Sequence, residues 1–358
     1  MSGIHQVLVA ASAGDAVTNA ALDLRVGLRR HGRSEIFAAF VDPTLEGEAH
    51  PLGEFRRRGT GADLLVLHAS IGEPAVAEFL AGRPEALAVV YHNVSPPAAF
   101  EPWDRAFARL LERGRHELAE LAGRARVAVG VSPFNAAELT AMGFLRVGVA
   151  PMAVDPEALL GTEGDRSLAA ELAGLDGPSV LYVGQLLPHK RIDWLLMAYH
   201  VLATYLAPEA HLIVVGADRL PSYGAALRQM VRELGLLRAH LVGSVTQAEL
   251  VTYYRHADVF ITASEHEGFC VPLLEAMAFA VPVLARSFGA IPDTMGGGGL
   301  LLGPEDGPLV AAEALAAMLF DPDLRANLVT RGRHRLASHD PEQARAQMLD
   351  HLLAAVPA

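Results

Sequence analysis

The sequence predicts an α/β protein made of two Rossmann-like, doubly wound parallel-sheet domains. Three observations carry this. Short apolar runs alternate with helical patterns through the first half: QVLVAA at 6, EIFAAFV at 35, DLLVLHA at 63, ALAVVYHNV at 86 and RVAVGVS at 126. A break rich in proline, glycine and charge follows between residues 151 and 178. The alternation then resumes with SVLYVGQL at 179, HLIVVG at 211, AHLVG at 239, DVFITAS at 258, VPVLAR at 281 and GLLLG at 299. Strand and helix in strict alternation imply a parallel sheet covered by helices, and a composition break of this kind marks a domain boundary. The expected domains are residues 1–155 and 156–337, with a helical, Arg-rich end at 338–358.

Composition narrows the function classes. At 358 residues the chain exceeds what one hydrophobic core organises. With 29 basic against 41 acidic residues, the net charge of −12 argues against nucleic acid as a bulk partner. A single cysteine, Cys270, excludes an intramolecular disulfide and argues against a cysteine metal cluster. No apolar run reaches the ~20 residues of a membrane span and no charged-then-apolar leader opens the chain, so a cytoplasmic protein is expected. Between Ala108 and Arg126, Arg109 and Arg113 stand four apart on a helical pattern, a spacing that suits an anionic membrane surface. Glu112, Glu117 and Glu120 interleave with them, so a salt-bridged solvent face is favoured over peripheral membrane contact. Asp321 and Asp323, in FDPDLR, read as a turn and helix cap, and Gly296 to Gly299 as a helix-to-strand turn; no metal is expected.

The chemistry concentrates in EHEGFCVPLLEAMA, residues 265 to 278. Strand DVFITAS runs into this loop, and Pro272 suits the first turn of the helix that leaves it. Glu267 falls in the loop and Glu275 one turn into the helix. The N–H groups of Phe269, Cys270 and Val271, after Gly268, lie at the positive end of the helix dipole, where sugar hydroxyls or phosphate oxygens are held. In YVGQLLPHKRID, residues 182 to 193, a strand-to-helix loop carries Lys190 and Arg191. Basic residues at a helix start oppose its dipole, so an anion partner and a solvated pair both stand as readings. The strand ending in His92 and Asn93, the turn holding Gly14 and Asp15, and the strand end with His68, Ser70 and Gly72 are further candidates; Asp15 also reads as a helix cap and His92 as a structural hydrogen-bonding group.

The string EGF after a strand ending in serine, followed by P-x-x-E-A-M-A and the strand PVLA, resembles the E-x7-E signature of retaining glycosyltransferases of family 4, which have the two-domain GT-B fold. The resemblance implies two facing domains, a final helix that crosses back to the first, and sugar transfer from a nucleoside-diphosphate sugar to an acceptor hydroxyl with retention of configuration. No metal or cofactor is then required. The implied partners are the nucleotide-sugar donor and a small-molecule or glycan acceptor.

By the same resemblance Lys190 binds the donor diphosphate, Glu267 and His92 orient the sugar, Glu275 takes the ribose hydroxyls, and the backbone near Val245 contacts the base. Gly14 approaches the diphosphate, while Asp15, His68, Ser70 and Asn93 stand on the acceptor side. The family's Gly-Arg is replaced here by Gly184-Gln185, and Arg191 is expected to compensate by swinging toward the diphosphate. A catalytically silent GT-B protein that binds a nucleotide or partner remains an alternative, as does a GT-B phosphorylase or epimerase.

Overall fold

The computed structural model describes residues 3–55 and 62–356, and they fall into two compact units. The first runs through Glu101, continues over Arg105–Ala153 and is completed from Asp340 on; the second is Pro102–Asp104 with Val154–His339. Each is an all-parallel sheet with helical crossovers.

In the first unit the strands are β1 (Ile4–Ala11), β2 (Ile36–Val41), β3 (Ala49–Pro51), β4 (Leu64–Ala69), β5 (Ala86–Tyr91), β6 (Ala125–Gly130) and β7 (Val147–Val149), in the order β3-β2-β1-β4-β5-β6-β7. β1 registers Gln6 against Ile36 on one side and Val66 on the other. From β1 the chain winds outward to β2 and β3, and from β4 it winds the opposite way. The order therefore reverses between β1 and β4, where such sheets open a crevice at their carboxyl ends. β4 is buried throughout, as expected of a strand covered on both faces. The last helix, Pro341–Leu353, packs on the helix Ala16–Leu28, with Arg345 Nε donating to Asp23 Oδ1 at 2.8 Å.

The second unit has β8 (Ser179–Val183), β9 (His211–Val215), β10 (Ala239–Gly243), β11 (Val259–Thr262), β12 (Val283–Arg286) and β13 (Leu300–Leu302), ordered β10-β9-β8-β11-β12-β13. Its order reverses between β8 and β11, which pair Val180 with Val259 and Leu181 with Phe260. The loops after these two strands are the ones that carry Lys190 and Glu267.

Several local expectations are met. Asp321 caps the helix Pro322–Ala337 by accepting from the N–H groups of Asp323 and Leu324. Gly296, at φ 50°, ends the helix Ile291–Met295 before β13. Arg113 is bonded to Glu117 on the solvent side of the helix Arg105–Glu120. Among the described residues no helix is long and apolar enough to cross a membrane.

Gly72 was expected near a ligand, but it has a packing reason to be glycine. A Cβ on Gly114 would lie 2.4 Å from the Gly72 nitrogen, and one on Gly72 2.5 Å from the Gly114 Cα, so the loop after β4 and the helix Arg105–Glu120 meet backbone to backbone. Backbone cannot rotate aside as a side chain does. Gly114→Ala is expected to destabilise the first unit by about 1–3 kcal/mol, the usual cost of overpacking, read as a lower urea midpoint. An unchanged midpoint would show that the two segments separate freely.

Candidate functional site

The second unit joins the two loops at its reversal point. After β8 a short turn, Pro188–Lys190, leads into the helix Ile192–Val201; after β11 the chain runs through residues 263–270 into the helix Val271–Ala278. Glu265 N–H donates to the His189 carbonyl at 2.9 Å, and Ala290 N–H to the Glu267 carbonyl at 3.0 Å, so the carboxylate loop is fixed from both sides. Lys190 Nζ then bonds Glu267 Oε1 at 2.6 Å, with side chains only 19% and 10% exposed.

The helix behind this pair supplies its amide end. Cys270, at φ 70°, turns the chain into the helix, and Pro272 follows in its first turn. Among the described residues, the N–H groups of Phe269, Cys270 and Val271 take part in none of the turn or cap bonds around them. Burial, and then the Glu267 charge, push the Cys270 thiol well above its ordinary pKa, so it is packed as an apolar group rather than a nucleophile.

Glu275, on the same helix, accepts from the Tyr254 hydroxyl at Oε2 over 2.8 Å. Burial raises its pKa, and the tyrosine hydrogen bond offsets part of that rise. Tyr254 stacks on Phe279, with centroids 5.5 Å apart and planes at 4°. Oε1 remains to accept from another donor. Sequence reasoning missed Tyr254. The available signal is that a tyrosine on a buried helix face needs a polar partner for its hydroxyl.

Arg191 is not placed as expected. Its guanidinium is bonded to Glu265 and, from Nε, to Asp193 Oδ1 at 3.2 Å, and its backbone adopts the left-handed conformation at φ 53°. Glu265 also accepts from Arg286 Nη1 at 2.9 Å. Arg286 is itself 5% exposed and stacked 4.7 Å over the rings of Trp194 and Phe288. Two neighbouring carboxylates therefore hold Arg191 in this structure. Gln185 is exposed, and the loop around it is set by Gly184 N–H to Val215 O and Leu186 N–H to Ala217 O, both 2.9 Å. Val245 is half-buried between β10 and the helix Gln247–His256, which Thr246 and Glu249 open with a capping box.

The first unit gathers a second set at its own reversal point. His92 N–H donates to Ala69 O at 2.9 Å, and His92 Nε2 lies 2.9 Å from His68 Nδ1. Burial lowers the pKa of both imidazoles, that of His92 to about 4. Asn93, at φ 96°, gives its amide to Asn135 Oδ1 at 2.9 Å and Glu138 Oε2 at 2.8 Å, which holds it as a framework group. Glu138 also accepts from Tyr91 Oη at 3.1 Å and Arg115 Nη2 at 2.7 Å. Asp15 caps the helix Ala16–Leu28 through Thr18 N–H at 3.0 Å, Gly14 forms an exposed turn at φ 76°, and Ser70 is half-buried after β4.

Residues 166–335 match the family model of Glycosyl transferases group 1. The matched segment contains Gln185, Lys190, Glu267, Glu275 and Tyr254. Among curated proteins, the chain is 32% identical over 143 residues to the O-antigen chain mannosyltransferase B of Escherichia coli, which covers 39% of this chain and 37% of the relative. It is 31% identical over 206 residues to the D-inositol 3-phosphate glycosyltransferase of Kineococcus radiotolerans, covering 53% and 47%. The alignments thus span less than half the length of these relatives. The solved structure of Anabaena HepE in complex with UDP and glucose superposes with a TM-score of 0.77 at 16% identity, covering 99% of this chain and all of that one. Sucrose-phosphate synthase of Thermosynechococcus elongatus gives 0.75 at 22% identity, with coverage of 99% and 100%.

The raised pKa of Glu275 makes stability depend on pH. Between its unfolded and folded pKa the native state holds more protons than the unfolded one, so the carboxyl's contribution to stability is full below its ordinary value of 4.5 and is lost as pH rises through the folded pKa. Glu275→Gln keeps an acceptor for Tyr254 and removes the ionisation. The variant should match the parent in thermal midpoint near pH 4 and exceed it at pH 7.5. A midpoint difference independent of pH would contradict this.

Proposed function

We propose that the protein is a retaining, metal-independent glycosyltransferase that moves a hexosyl-type sugar from a nucleoside-diphosphate sugar to an acceptor hydroxyl, acting in the cytoplasm. The observation that carries this is the meeting of Lys190 and Glu267 across the β8/β11 reversal point, beside an uncapped helix N-terminus, in the segment that matches Glycosyl transferases group 1. Likeness to a mannosyltransferase and to an inositol-phosphate glycosyltransferase, and to HepE in complex with UDP and glucose, supports the substrate class.

The chemistry follows from where charge develops. Cleavage of the bond between the anomeric carbon and the diphosphate oxygen leaves negative charge on phosphate. Lys190 and the N–H groups of Phe269, Cys270 and Val271 would stabilise it; fixed donors of this kind often contribute the largest catalytic term. Glu275 has Oε1 to accept from the ribose hydroxyls, Glu267 orients the donor sugar beside Lys190, and His92 is assigned a sugar-orienting role by resemblance. The leaving phosphate oxygen takes the acceptor's proton on the same face as the new bond forms, so no protein base is needed.

A second reading has its own observation. Gln185 is neutral, and Lys190 and Arg191 are both bonded to carboxylates, so a diphosphate must compete for either cation. A catalytically silent nucleotide-binding protein would tolerate that loss.

One assay separates the readings: a panel of nucleotide sugars is incubated with the full chain, with and without candidate acceptors, and release of nucleoside diphosphate is followed. Transfer predicts release that requires an acceptor and falls at least ~100-fold in Lys190→Ala, the scale for removing a donor to developing charge. Binding without turnover supports the silent reading. Isomerisation of the donor without acceptor, or exchange with free phosphate, would replace transfer with epimerase or phosphorylase chemistry.

A further inference from the structure

The first unit contains a chain of four polar groups with one possible arrangement of protons. Gln6 lies on β1 and is fully buried, and its Nε2 donates to the Ala21 carbonyl at 2.9 Å. A carbonyl only accepts, so the amide nitrogen must face Ala21 and Oε1 must face the other way. There it meets His68 Nε2 at 2.8 Å. An amide oxygen also only accepts, so His68 carries its proton on Nε2. His68 is 1% exposed, and neither it nor His92 is bonded to a carboxylate among the described residues, so a buried imidazolium would go uncompensated. His68 is therefore neutral, and its Nδ1 is a bare lone pair. The remaining contact, His92 Nε2 at 2.9 Å from that lone pair with the rings 18° from parallel, requires the proton on His92 Nε2. Among the described residues His92 Nδ1 is left as a lone pair with no partner, on a residue that is itself half-buried.

We propose that Gln6 and His68 are positioning residues that hold His92 in the Nε2–H tautomer, so that its Nδ1 lone pair receives a hydrogen from a ligand hydroxyl. The ligand's identity as a sugar rests on the transferase reading above; the tautomer does not. Two other roles are thereby excluded for His92. A bare lone pair repels phosphate and carboxylate oxygens, so the ring does not bind the diphosphate. Its Nε2 proton is committed to His68, so it is not a general acid.

The test is a two-bond 1H–15N correlation spectrum of the full chain with 15N-labelled imidazoles at neutral pH. The expected result is protonated Nε2 and bare Nδ1 for both His68 and His92. Gln6→Leu removes the acceptor that orients His68, and should bring up a His92 population protonated on Nδ1, with at least tenfold lower kcat/KM for the donor sugar and unchanged affinity for free nucleoside diphosphate. A parental His92 protonated on Nδ1 overturns the proposal, whatever the variants do. So does a Gln6→Leu protein whose His92 tautomer and turnover are unchanged. Absence of any glycosyl transfer, with the predicted tautomers present, would instead refute the transferase reading and leave the proton arrangement standing.

Discussion

The second unit depends on one ion pair, Lys190 Nζ to Glu267 Oε1, made between loops that are adjacent only because the sheet order reverses between β8 and β11. Both side chains are largely withdrawn from water, so each charge would be costly alone; removing one partner of such a pair typically costs about 3–5 kcal/mol. The pair thus ties the two loops together and presets the lysine. If the proposed donor binds at Lys190, its diphosphate meets a cation already matched by a carboxylate, and the hold of Glu267 on Lys190 must weaken as phosphate oxygens approach.

Three carboxylates of one fourteen-residue stretch are separated into three roles by what surrounds them. Glu265 is used by Arg191 and Arg286, Glu267 by Lys190, and Glu275 by a neutral hydroxyl alone. Burial raises the pKa of Glu275, which keeps one oxygen for a further donor. The first unit shows the same division among its polar groups: Glu138 gathers Tyr91, Asn93 and Arg115 into a framework, while Gln6, His68 and His92 form a neutral relay. Of the four non-glycine residues at positive φ among those described, Asn93, Arg191 and Cys270 lie in these loops, which fits the tendency of backbone strain to collect at functional sites.

Much of this was legible in the sequence because it is local. The apolar runs found all six strands of the second unit, and the placement of Glu267 in a loop and Glu275 one turn into a helix followed from Pro272 and the strand before it. β3 and β7 were not legible: like β13 each has three residues, but AHP and VGV lack the unbroken apolar run of LLL. Strand order was not legible either, and it is what brings Lys190 to Glu267 across 77 positions. Arg191 shows the limit most clearly. It adjoins Lys190 in sequence, yet a left-handed backbone turns it toward Glu265 and Asp193, two carboxylates whose positions depend on the fold around it.

On the proposed function, Glu267 and the donor diphosphate compete for Lys190. Calorimetric titration of free nucleoside diphosphate into Glu267→Gln tests it most directly, because glutamine keeps the shape and an accepting oxygen while removing the competing charge. Affinity equal to or tighter than the parent's is predicted, alongside a loss in Lys190→Ala of at least tenfold, or ~1.4 kcal/mol. A loss in Glu267→Gln as large as that in Lys190→Ala would contradict the claim.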